Sequence, residues 1–553
     1  MSGGFALSVL HPRRLLHRRP SDAALAPAAR AALAQAVPLV GLAAAGHVAL
    51  APAAGLGAFA GLYGRDEPYR SRAVTLAGMA ALQVLAVLIG SLVALSVHRD
   101  LLAVAVVAVV AGLATLVCDA VRTGPPAGLF PAYACAIPAF LPTAPRDVVV
   151  RVGVAAGAAA VAWGIGMAGW LVRPHGPQRL GAARALEAVV GHLLTGDDAA
   201  RHRAALAVAR AWHALDSVRP VRGAETLARL AALVARAETA LRITVPGTAG
   251  AAGQAEELGS AARQLRARGP APSVAEPTPA ERGEVDGLLL EPRLAAGDLR
   301  LGRVRPTRRA AVRAALRPRS PSFRLGVRVA VAAAVAAAGA ELLGLGHPYW
   351  APLTAVAVLQ AATTAATLQR TVQRAVGTGL GIAVGAAILS GAPSPVVLIG
   401  VIVVAQLGAE LLMPVNYGLA MLAVTPLALA LVALAEPEAT SVLVGDRVLG
   451  TVLGSVAGLA CALVLRDRRA QDRLAGATAT CRRRTAEVVA GGTGVRELAV
   501  ALVELREVYD VAAAEPWPDE LPVEEVLDAE RAGHQALAGA LAGSGRSGGR
   551  PDQ

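Results

Sequence analysis

Apolar runs of membrane-spanning length occur in two sets of six, which a long charged segment separates. A helix needs about 20 apolar residues to cross the hydrocarbon core of a bilayer. The runs lie at 31–50, 52–63, 73–97, 101–118, 127–142 and 148–172, and then at 325–345, 349–368, 375–390, 395–412, 416–435 and 447–465. The runs at 52–63 and 127–142 are short, and we expect them to be tilted, broken or re-entrant. The chain is therefore predicted to be an all-α polytopic membrane protein with about twelve spans.

The composition agrees with a membrane protein and excludes a nucleic-acid-binding one. The 553 residues are 55% hydrophobic and only 17% charged, which is more apolar than soluble domains usually are. The net charge of +13 comes entirely from arginine, because the sequence has no lysine. These arginines cluster beside the apolar runs and do not interleave with aromatic residues. Membrane lipid is thus the expected partner, and nucleic acid is not.

The arginine distribution predicts the orientation in the membrane. If the N-terminus lies inside, the arginine-rich loops all lie inside as well, as the positive-inside rule requires. Both termini are therefore expected in the cytoplasm of a protein of the cell membrane. The predicted domains are a basic N-terminal segment at 1–30, a membrane bundle at 31–172, a cytoplasmic helical domain at 173–323, a second bundle at 324–466 and a cytoplasmic helical segment at 467–553.

Two parts of the soluble segments are predicted to lack fixed structure. Gly, Ala, Pro and Ser dominate residues 246–282, which is typical of a flexible linker. The last ten residues of the chain are polar and glycine-rich, and we expect them to be disordered.

The two sets of apolar runs also look like one repeat used twice. Asp147 with Arg151 in the last run of the first set parallels Asp446 with Arg447 in the last run of the second. Six spans in each half make both halves enter the membrane from the same side. The pattern therefore predicts two parallel-repeat bundles of about six helices each, related by an axis along the membrane normal.

The second bundle carries a family resemblance. The stretches HPYWAPLTAVAVLQ at 347–360 and LQRTVQRAVGTGLG at 368–381 resemble the FUSC family of fusaric acid resistance-like proteins, which are related to aromatic acid exporters. The resemblance extends over residues 321–466, and a weaker one covers the first 175 residues. It implies a transporter that exports small aromatic or other organic acids with coupling to protons. It also implies a second copy of the chain or an accessory export subunit as a partner.

Two other functions remain open at this stage. The first alternative to a transporter is a passive organic-anion channel. The second is a membrane-anchored scaffold that binds a partner through its cytoplasmic helices. A proton-coupled carrier needs a titratable group such as Glu410, whereas a channel needs arginine and tolerates the loss of that acid. A scaffold tolerates the loss of both.

Three polar residues inside the runs are candidates for substrate binding or coupling. Gln360 is expected near mid-membrane, where an amide needs a partner. Gln406 and Glu410 lie one helical turn apart on the same face, near the end of their run. Because an acid in a span is costly, Glu410 is the candidate coupling residue, and Glu410→Gln is expected to lose gradient-driven flux. A solvated position at the interface is the alternative for Glu410.

A second group of candidates lies where proline interrupts a run. Asn416 and Tyr417 precede Pro426, and Tyr133 precedes Pro138 at the matching place in the first half. A proline kink frees backbone carbonyl groups, and paired broken helices in two repeats indicate a binding site.

The arginines of the family motif are the third group. Arg370 and Arg374 lie one turn apart and are expected to anchor the interface first and to attract organic anions second. Asp446 and Arg447 are interpreted as a charged helix start at the outer face. His347 is placed near that interface, with no evident partner in the sequence.

The remaining motifs exclude other functions. A phosphate-binding loop of the GxxxxGK[ST] type needs a lysine, so an ATP-driven pump would need a separate ATPase chain. The four cysteines form no CxxC pair, and neither a catalytic triad nor a metal-ligand cluster is visible. The sequence therefore predicts a protein that is not an enzyme and that has no cofactor and no bound metal.

Overall fold

The computed structural model describes most of the chain. It covers residues 25–97, 99–216, 224–267, 269–272, 282, 285–289, 308–318, 320–360, 364–435, 440–464, 470–491, 494–513 and 522–547. Within these ranges the regular structure is helical throughout, with no β-strand. The all-α prediction is confirmed.

The chain divides into two compact units, and each is described by itself. The membrane unit takes in the residues up to Arg65, Ser71–Val172 and Thr307–Arg466. The helical unit takes in Asp66–Arg70, Arg173–Pro306 and the residues from Asp467 onward.

The first half of the membrane unit contains six helical elements. They are α1 (Leu25–Ala44), α2 (Ala51–Ala58, flanked by 3₁₀ turns at Val48–Leu50 and Phe59–Leu62), α3 (Tyr69–Val93), α4 (Arg99–Ala120), α5 (Leu129–Phe140) and α6 (Pro145–Met167, followed by a short helix at Gly169–Val172). The helical unit then supplies α7 (Gly176–Thr195), α8 (Asp198–Asp216), α9 (Ala224–Ile243) and α10 (Ala249–Arg266).

The second half of the membrane unit repeats this order after a short basic helix, α11 (Arg308–Ala315). Its elements are α12 (Pro321–Leu342), α13 (Trp350–Leu359), α14 (Thr364–Leu389), α15 (Pro395–Leu412), α16 (Tyr417–Ala435) and α17 (Thr440–Val464). The C-terminal helices are α18 (Ala470–Gly491), α19 (Val495–Ala513) and α20 (Val523–Ser547).

Helix packing in the membrane unit follows a reciprocal pattern. Where α12 packs on α4, its counterpart α1 packs on α15, and where α13 packs on α17, its counterpart α2 packs on α6. The short helices behave in the same way, since α13 contacts α5 and α2 contacts α16. Each half therefore builds the same arrangement, and the two halves meet through equivalent elements.

The number of long helices differs from the twelve expected spans. Nine of the described helices are long and apolar enough to cross a membrane, namely α1, α3, α4, α6, α12, α14, α15, α16 and α17. The other three apolar elements, at Val48–Leu62, Leu129–Phe140 and Trp350–Leu359, are shorter. The two short runs at 52–63 and 127–142 thus form two of these shorter elements. The expected span at 349–368 is wrong, because α13 ends at Leu359.

Glycine faces bring the helices of the second half close together. On α14, the glycines at 377, 381 and 385 face α16, where an added Cβ would meet the backbone or a side chain of that helix. On α17, Gly450 and Gly454 face α13 in the same way. Association in lipid depends on such close packing, because apolar burial alone does not favour it.

The helical unit has one core that joins distant parts of the chain. Buried residues of α7, α9 and α10 share it with residues of α18, α19 and α20, such as Leu186, Leu258 and Leu502. The C-terminal helices are therefore not a separate domain.

The expected linker at 246–282 is wrong over most of its described length. Ala249–Arg266 form α10, whose buried face includes Ala251, Ala255, Leu258 and Ala262. Alanine is the best helix former, and small side chains at helical spacing make an apolar face that a compositional argument overlooks. Residues 273–281 lie outside the described residues. At the C-terminus, α20 continues to Ser547, into the end that was expected to be disordered.

Candidate functional site

Two of the buried arginine side chains in the described part of the membrane unit, Arg374 and Arg447, lie close to each other. Arg374 on α14 is 2% exposed, and Arg447 on α17 is completely buried. The guanidinium of Arg447 lies over the ring of Trp350, 3.9 Å from the ring centroid. Trp350 opens α13, and its own surface is buried. Glycine at position 450 permits this contact, because a Cβ there would collide with Trp350.

Aromatic hydroxyl groups surround the two guanidinium groups. Nη1 of Arg374 donates to the hydroxyl of Tyr417 at 3.0 Å and approaches Sδ of Met421 at 3.6 Å. The hydroxyl of Tyr133, on α5 of the first half, lies close to both arginines. Tyr133 and Tyr417, which the sequence paired as matching positions of two interrupted runs, therefore meet at the same guanidinium.

Most of the donors of this arginine pair have no aligned acceptor in the part of the chain that the structure describes. Nε and Nη2 of Arg374 and all three nitrogen atoms of Arg447 make no aligned hydrogen bond. Among the described residues, no carboxylate lies within ion-pair distance of either one. Burying a charged group without a partner costs several kcal/mol, so such a group is retained for a reason other than stability.

Further unsatisfied polar groups lie on the same helices. The indole nitrogen of Trp350 and the hydroxyls of Thr354, Thr378 and Thr425 are buried without a hydrogen-bond partner among the described residues. Thr354 and Thr378 each lie one turn beyond Trp350 and Arg374, respectively, on the same helix. The arrangement offers hydrogen-bond donors and positive charge, and it lacks a negative group to receive them.

Arginines of the first half differ from this pair. Arg72 is also buried, yet it donates to the backbone carbonyls of Gly64, Arg65 and Gly166. Arg151, the repeat counterpart of Arg447, donates to Thr143 Oγ1 at 2.7 Å and to the carbonyl of Pro142 at 3.0 Å. The fold thus supplies hydrogen-bond acceptors to Arg72 and Arg151, and it leaves Nε and Nη2 of Arg374 and the three nitrogens of Arg447 without an aligned acceptor among the described residues.

A buried acid and a histidine lie beside the arginine pair. Oδ2 of Asp446 accepts from the backbone N–H of His347 at 2.9 Å and lies 2.8 Å from its Nδ1. Both residues are buried, and Asp446 directly precedes Arg447 in α17. The prediction of a charged helix start at the outer face is wrong, because α17 begins at Thr440 and buries both residues within its first turns. A helix places consecutive side chains about 100° apart, so one neighbour faces His347 and the other faces Trp350.

The remaining predicted residues do not join this cluster. Gln360 ends α13 instead of lying within a longer span, and its Nε2 is buried without an acceptor among the described residues. Gln406 is buried on α15 together with Ile402 and Ala409. Asn416 caps α16, since its Oδ1 accepts from the backbone N–H groups of Gly418 and Leu419.

Glu410 lies at a different place in the membrane unit. It forms an ion pair with Arg65, and its side chain is 13% exposed. A small pocket contains both residues together with Arg30, Arg72 and Tyr63. Glu410 is thus neither a fully solvated acid nor a member of the arginine cluster.

Arg370 and Arg374 differ in their surroundings. Arg370 is half-buried, and its guanidinium lies 5.4 Å from the ring centroid of Tyr417. Arg374, one turn further, is buried in the bundle, so the expectation that it anchors the interface is wrong. Burial of the second arginine follows from the close approach of α14 to α16 along their glycine face.

Sequence reasoning did not assign four residues to the cluster, namely Trp350, Arg447, His347 and Asp446. Trp350 and His347 are part of the HPYW stretch, which the sequence offered only as a carrier of the family resemblance. An Asp-Arg dipeptide within an apolar run was the available signal, since two adjacent charges at that position are expensive unless the fold uses them.

Comparison with known proteins agrees with the location of this cluster. Residues 332–461 match the family described as fusaric acid resistance protein-like. No curated protein and no solved structure matches the chain. The matched segment contains both buried arginines, Trp350 and the His347–Asp446 pair. Nine of the described helices are long and apolar enough to cross a membrane, so the chain is a multi-pass membrane protein whose segment 332–461 is similar to the fusaric acid resistance protein-like family.

Proposed function

We propose that the membrane unit exports small organic acids and binds their carboxylate between Arg374 and Arg447. The observation that carries this proposal is the pair of buried guanidinium groups, in which Nε and Nη2 of Arg374 and the three nitrogens of Arg447 have no aligned acceptor among the described residues. A guanidinium presents its N–H groups in a planar fork that matches a carboxylate, and the bonds are charge-assisted. An organic anion entering this place supplies both the missing acceptors and the missing negative charge.

The surrounding side chains favour an acid that carries an aromatic ring. Tyr349 and Trp350 lie with their ring centroids 4.9 Å apart, and Trp350 also lies beneath Arg447. Tyr133 and Tyr417 add two more rings beside Arg374. Aromatic rings stack favourably on one another and on guanidinium groups. Benzoate is the simplest compound with both features and is therefore the probe of choice.

The test is benzoate flux in proteoliposomes that contain the purified full-length protein. We expect Arg374→Gln and Arg447→Gln to lower benzoate affinity at least about tenfold, because each removes a charged donor worth about 1.5–3 kcal/mol. Arg151→Gln is the matched control, because the guanidinium of Arg151 already donates hydrogen bonds to Thr143 and to the carbonyl of Pro142. Flux that is unchanged in both cluster variants would refute the anion site.

The same preparation distinguishes a carrier from a channel. A carrier exchanges labelled benzoate for unlabelled benzoate across the membrane and saturates with concentration, whereas a channel shows flux that follows the electrochemical gradient. Both depend on the arginines. A scaffold would show no benzoate flux at all in wild-type protein, and this outcome would favour the reading in which the helical unit binds a partner.

A further inference from the structure

A short basic helix, α11, lies where two spans of the membrane unit end. It packs on α4, which ends at Ala120, and on α12, which begins at Pro321. The hydroxyl of Ser322 donates to Oδ2 of Asp119 at 2.6 Å, so the two ends lie at the same level. Both helices are long and apolar enough to cross a membrane. Because a span leaves the hydrocarbon core where its apolar run stops, α11 lies at the depth of the lipid headgroups.

One side of α11 is held against the membrane unit. Nη2 of Arg308 donates to Oγ1 of Thr75, a buried residue of α3, at 3.0 Å. Ala315, at the other end of the helix, is buried as well. Residues seven apart lie within about 20° of each other around a helix, so Arg308 and Ala315 belong to one side. The opposite side of α11 therefore has a fixed direction and faces away from the bundle.

This outward side carries a row of arginines. Arg309, Arg313 and Arg317, which we call the arginine row, are exposed and follow one another at intervals of four residues. In the part of the chain that the structure describes, none of their guanidinium groups makes a hydrogen bond or an ion pair. The sequence has no acidic residue between Asp298 and Glu341. Positive charges one turn apart on a helix repel each other, so the row gains stability when a negative group binds to it.

An exposed apolar side chain accompanies the arginine row. Leu316 is 49% exposed and lies next to Arg309 and Arg313 around the helix axis. The backbone N–H of Leu316 donates to the carbonyl of Val312 at 3.1 Å, so the helical turn continues to this residue. Apolar and basic side chains together at the membrane surface are typical of an interfacial helix, which buries the apolar groups in the bilayer and pairs the basic ones with lipid.

We propose that the arginine row binds the headgroups of anionic phospholipids. A guanidinium fork matches the free oxygens of a phosphodiester, and a group of arginines directly beside a span is attracted to anionic lipid. A lipid molecule answers both observations, because its phosphate pairs with the arginines and its acyl region covers Leu316. A soluble anion supplies the charge alone and leaves Leu316 in water. The proposal does not depend on which compound the membrane unit transports.

Native mass spectrometry of the full-length protein in detergent tests the proposal. Phosphatidylglycerol is the probe, and phosphatidylcholine, which has the same phosphate and no net charge, is the reference lipid. We expect the wild type to bind phosphatidylglycerol more tightly than phosphatidylcholine. The combined variant Arg309→Gln, Arg313→Gln and Arg317→Gln should lose about fivefold in phosphatidylglycerol affinity for each arginine removed, with phosphatidylcholine binding unchanged.

A matched control removes the same charge elsewhere. Arg482, Arg483 and Arg484 on α18 of the helical unit pair with Glu525 and Glu487. Replacement of these three arginines by glutamine should leave the affinity for phosphatidylglycerol at the wild-type level. An equal loss in this control would show that only the net charge of the protein matters and would contradict a surface on α11.

The wild-type protein alone can also overturn the proposal. Equal affinity for the two lipids would do so, as would a preference for phosphatidylglycerol that the row variant keeps. Displacement of the lipid by inorganic phosphate or by a short polyglutamate, at constant ionic strength, would instead assign the row to a soluble anion or to an acidic protein. A phosphatidylglycerol with a photoreactive headgroup should label peptides of α11, and label confined to other parts of the membrane unit would contradict the lipid surface.

Discussion

At the scale of single residues, the ion pair between Arg65 and Glu410 changes the expectation for the acid. The sequence alone predicts that Glu410→Gln loses pH-gradient-driven flux. Since Glu410 is held by Arg65 and has no contact with the arginine cluster among the described residues, we now expect flux near the wild-type level. Loss of the pair should lower stability by about 1 kcal/mol, as for other partly exposed ion pairs. Thermal unfolding and flux at matched expression check both statements.

A clear loss of gradient-driven flux in Glu410→Gln, with folding intact, would return Glu410 to the role of coupling residue. Arg65→Gln is the companion variant, because it removes the same ion pair and keeps the acid. If both variants lose flux, the ion pair itself is required.

The residues of the site were only partly predictable. Tyr133, Tyr417, Arg370 and Arg374 follow from the motif and the repeat, because proline and arginine leave a visible mark in an apolar run. The burial of Arg447 does not follow, since an arginine seven residues into a helix fits an interface equally well. Only the packing of α13 on α17 places this side chain over Trp350.

At the scale of helices, the glycine face of α14 provides a test with an internal control. Gly381 lies against Thr425 and the backbone of Met421 on α16, whereas an added side chain at Gly379 meets nothing within 4 Å. Gly381→Leu should therefore separate α14 from α16 and destabilise the membrane unit by several kcal/mol, as overpacking in a tight core does. Gly379→Leu should be tolerated.

The readout is the amount of folded protein and its thermal midpoint in detergent. Equal loss in both variants would show that any bulky residue on α14 is harmful and would contradict the role of the close contact. Gly381→Ala adds a graded step, since even one methyl group has no room at this position.

Glycine faces of this kind could be predicted from the sequence, because glycines four residues apart already indicate close packing. The helix α10 was not, since alanine and glycine were taken as signs of a linker. Ala251, Ala255 and Ala262 share one face with Leu258, and the helical period was the more informative signal.

At the scale of the whole molecule, the orientation in the membrane is the main open prediction. The positive-inside rule places α10 in the cytoplasm and the connection between α14 and α15 outside. In a variant without the four natural cysteines, an impermeant maleimide should label Ser390→Cys in intact cells. It should label Ala252→Cys only after the membrane is permeabilised. Both positions are exposed in the structure.

Labelling of Ala252→Cys in intact cells would reverse the topology and, with it, the direction of the proposed export.

The two sets of six elements do not depend on that result. The two sets were predictable because each apolar run is a local feature of the sequence. The core that α7–α10 share with α18–α20 was not predictable. Residues such as Leu186 and Leu502 are far apart in the chain, and no local pattern links them.

The reciprocal packing of the two halves has a consequence for the history of the gene. Two fused copies of a six-helix ancestor inherit the same contacts, and in a symmetric pair of separate chains both copies would have carried the same arginines. If the proposed anion site is correct, such a fused chain needs only one set of ligand-binding residues, and the other half is free to change those residues while it keeps the packing. Arg151, tied to Thr143 and Pro142, is the form that the counterpart of Arg447 takes in that other half. The segment similar to the known family, residues 332–461, lies in the half that buries both unpaired arginines, whereas the helix packing is common to both halves.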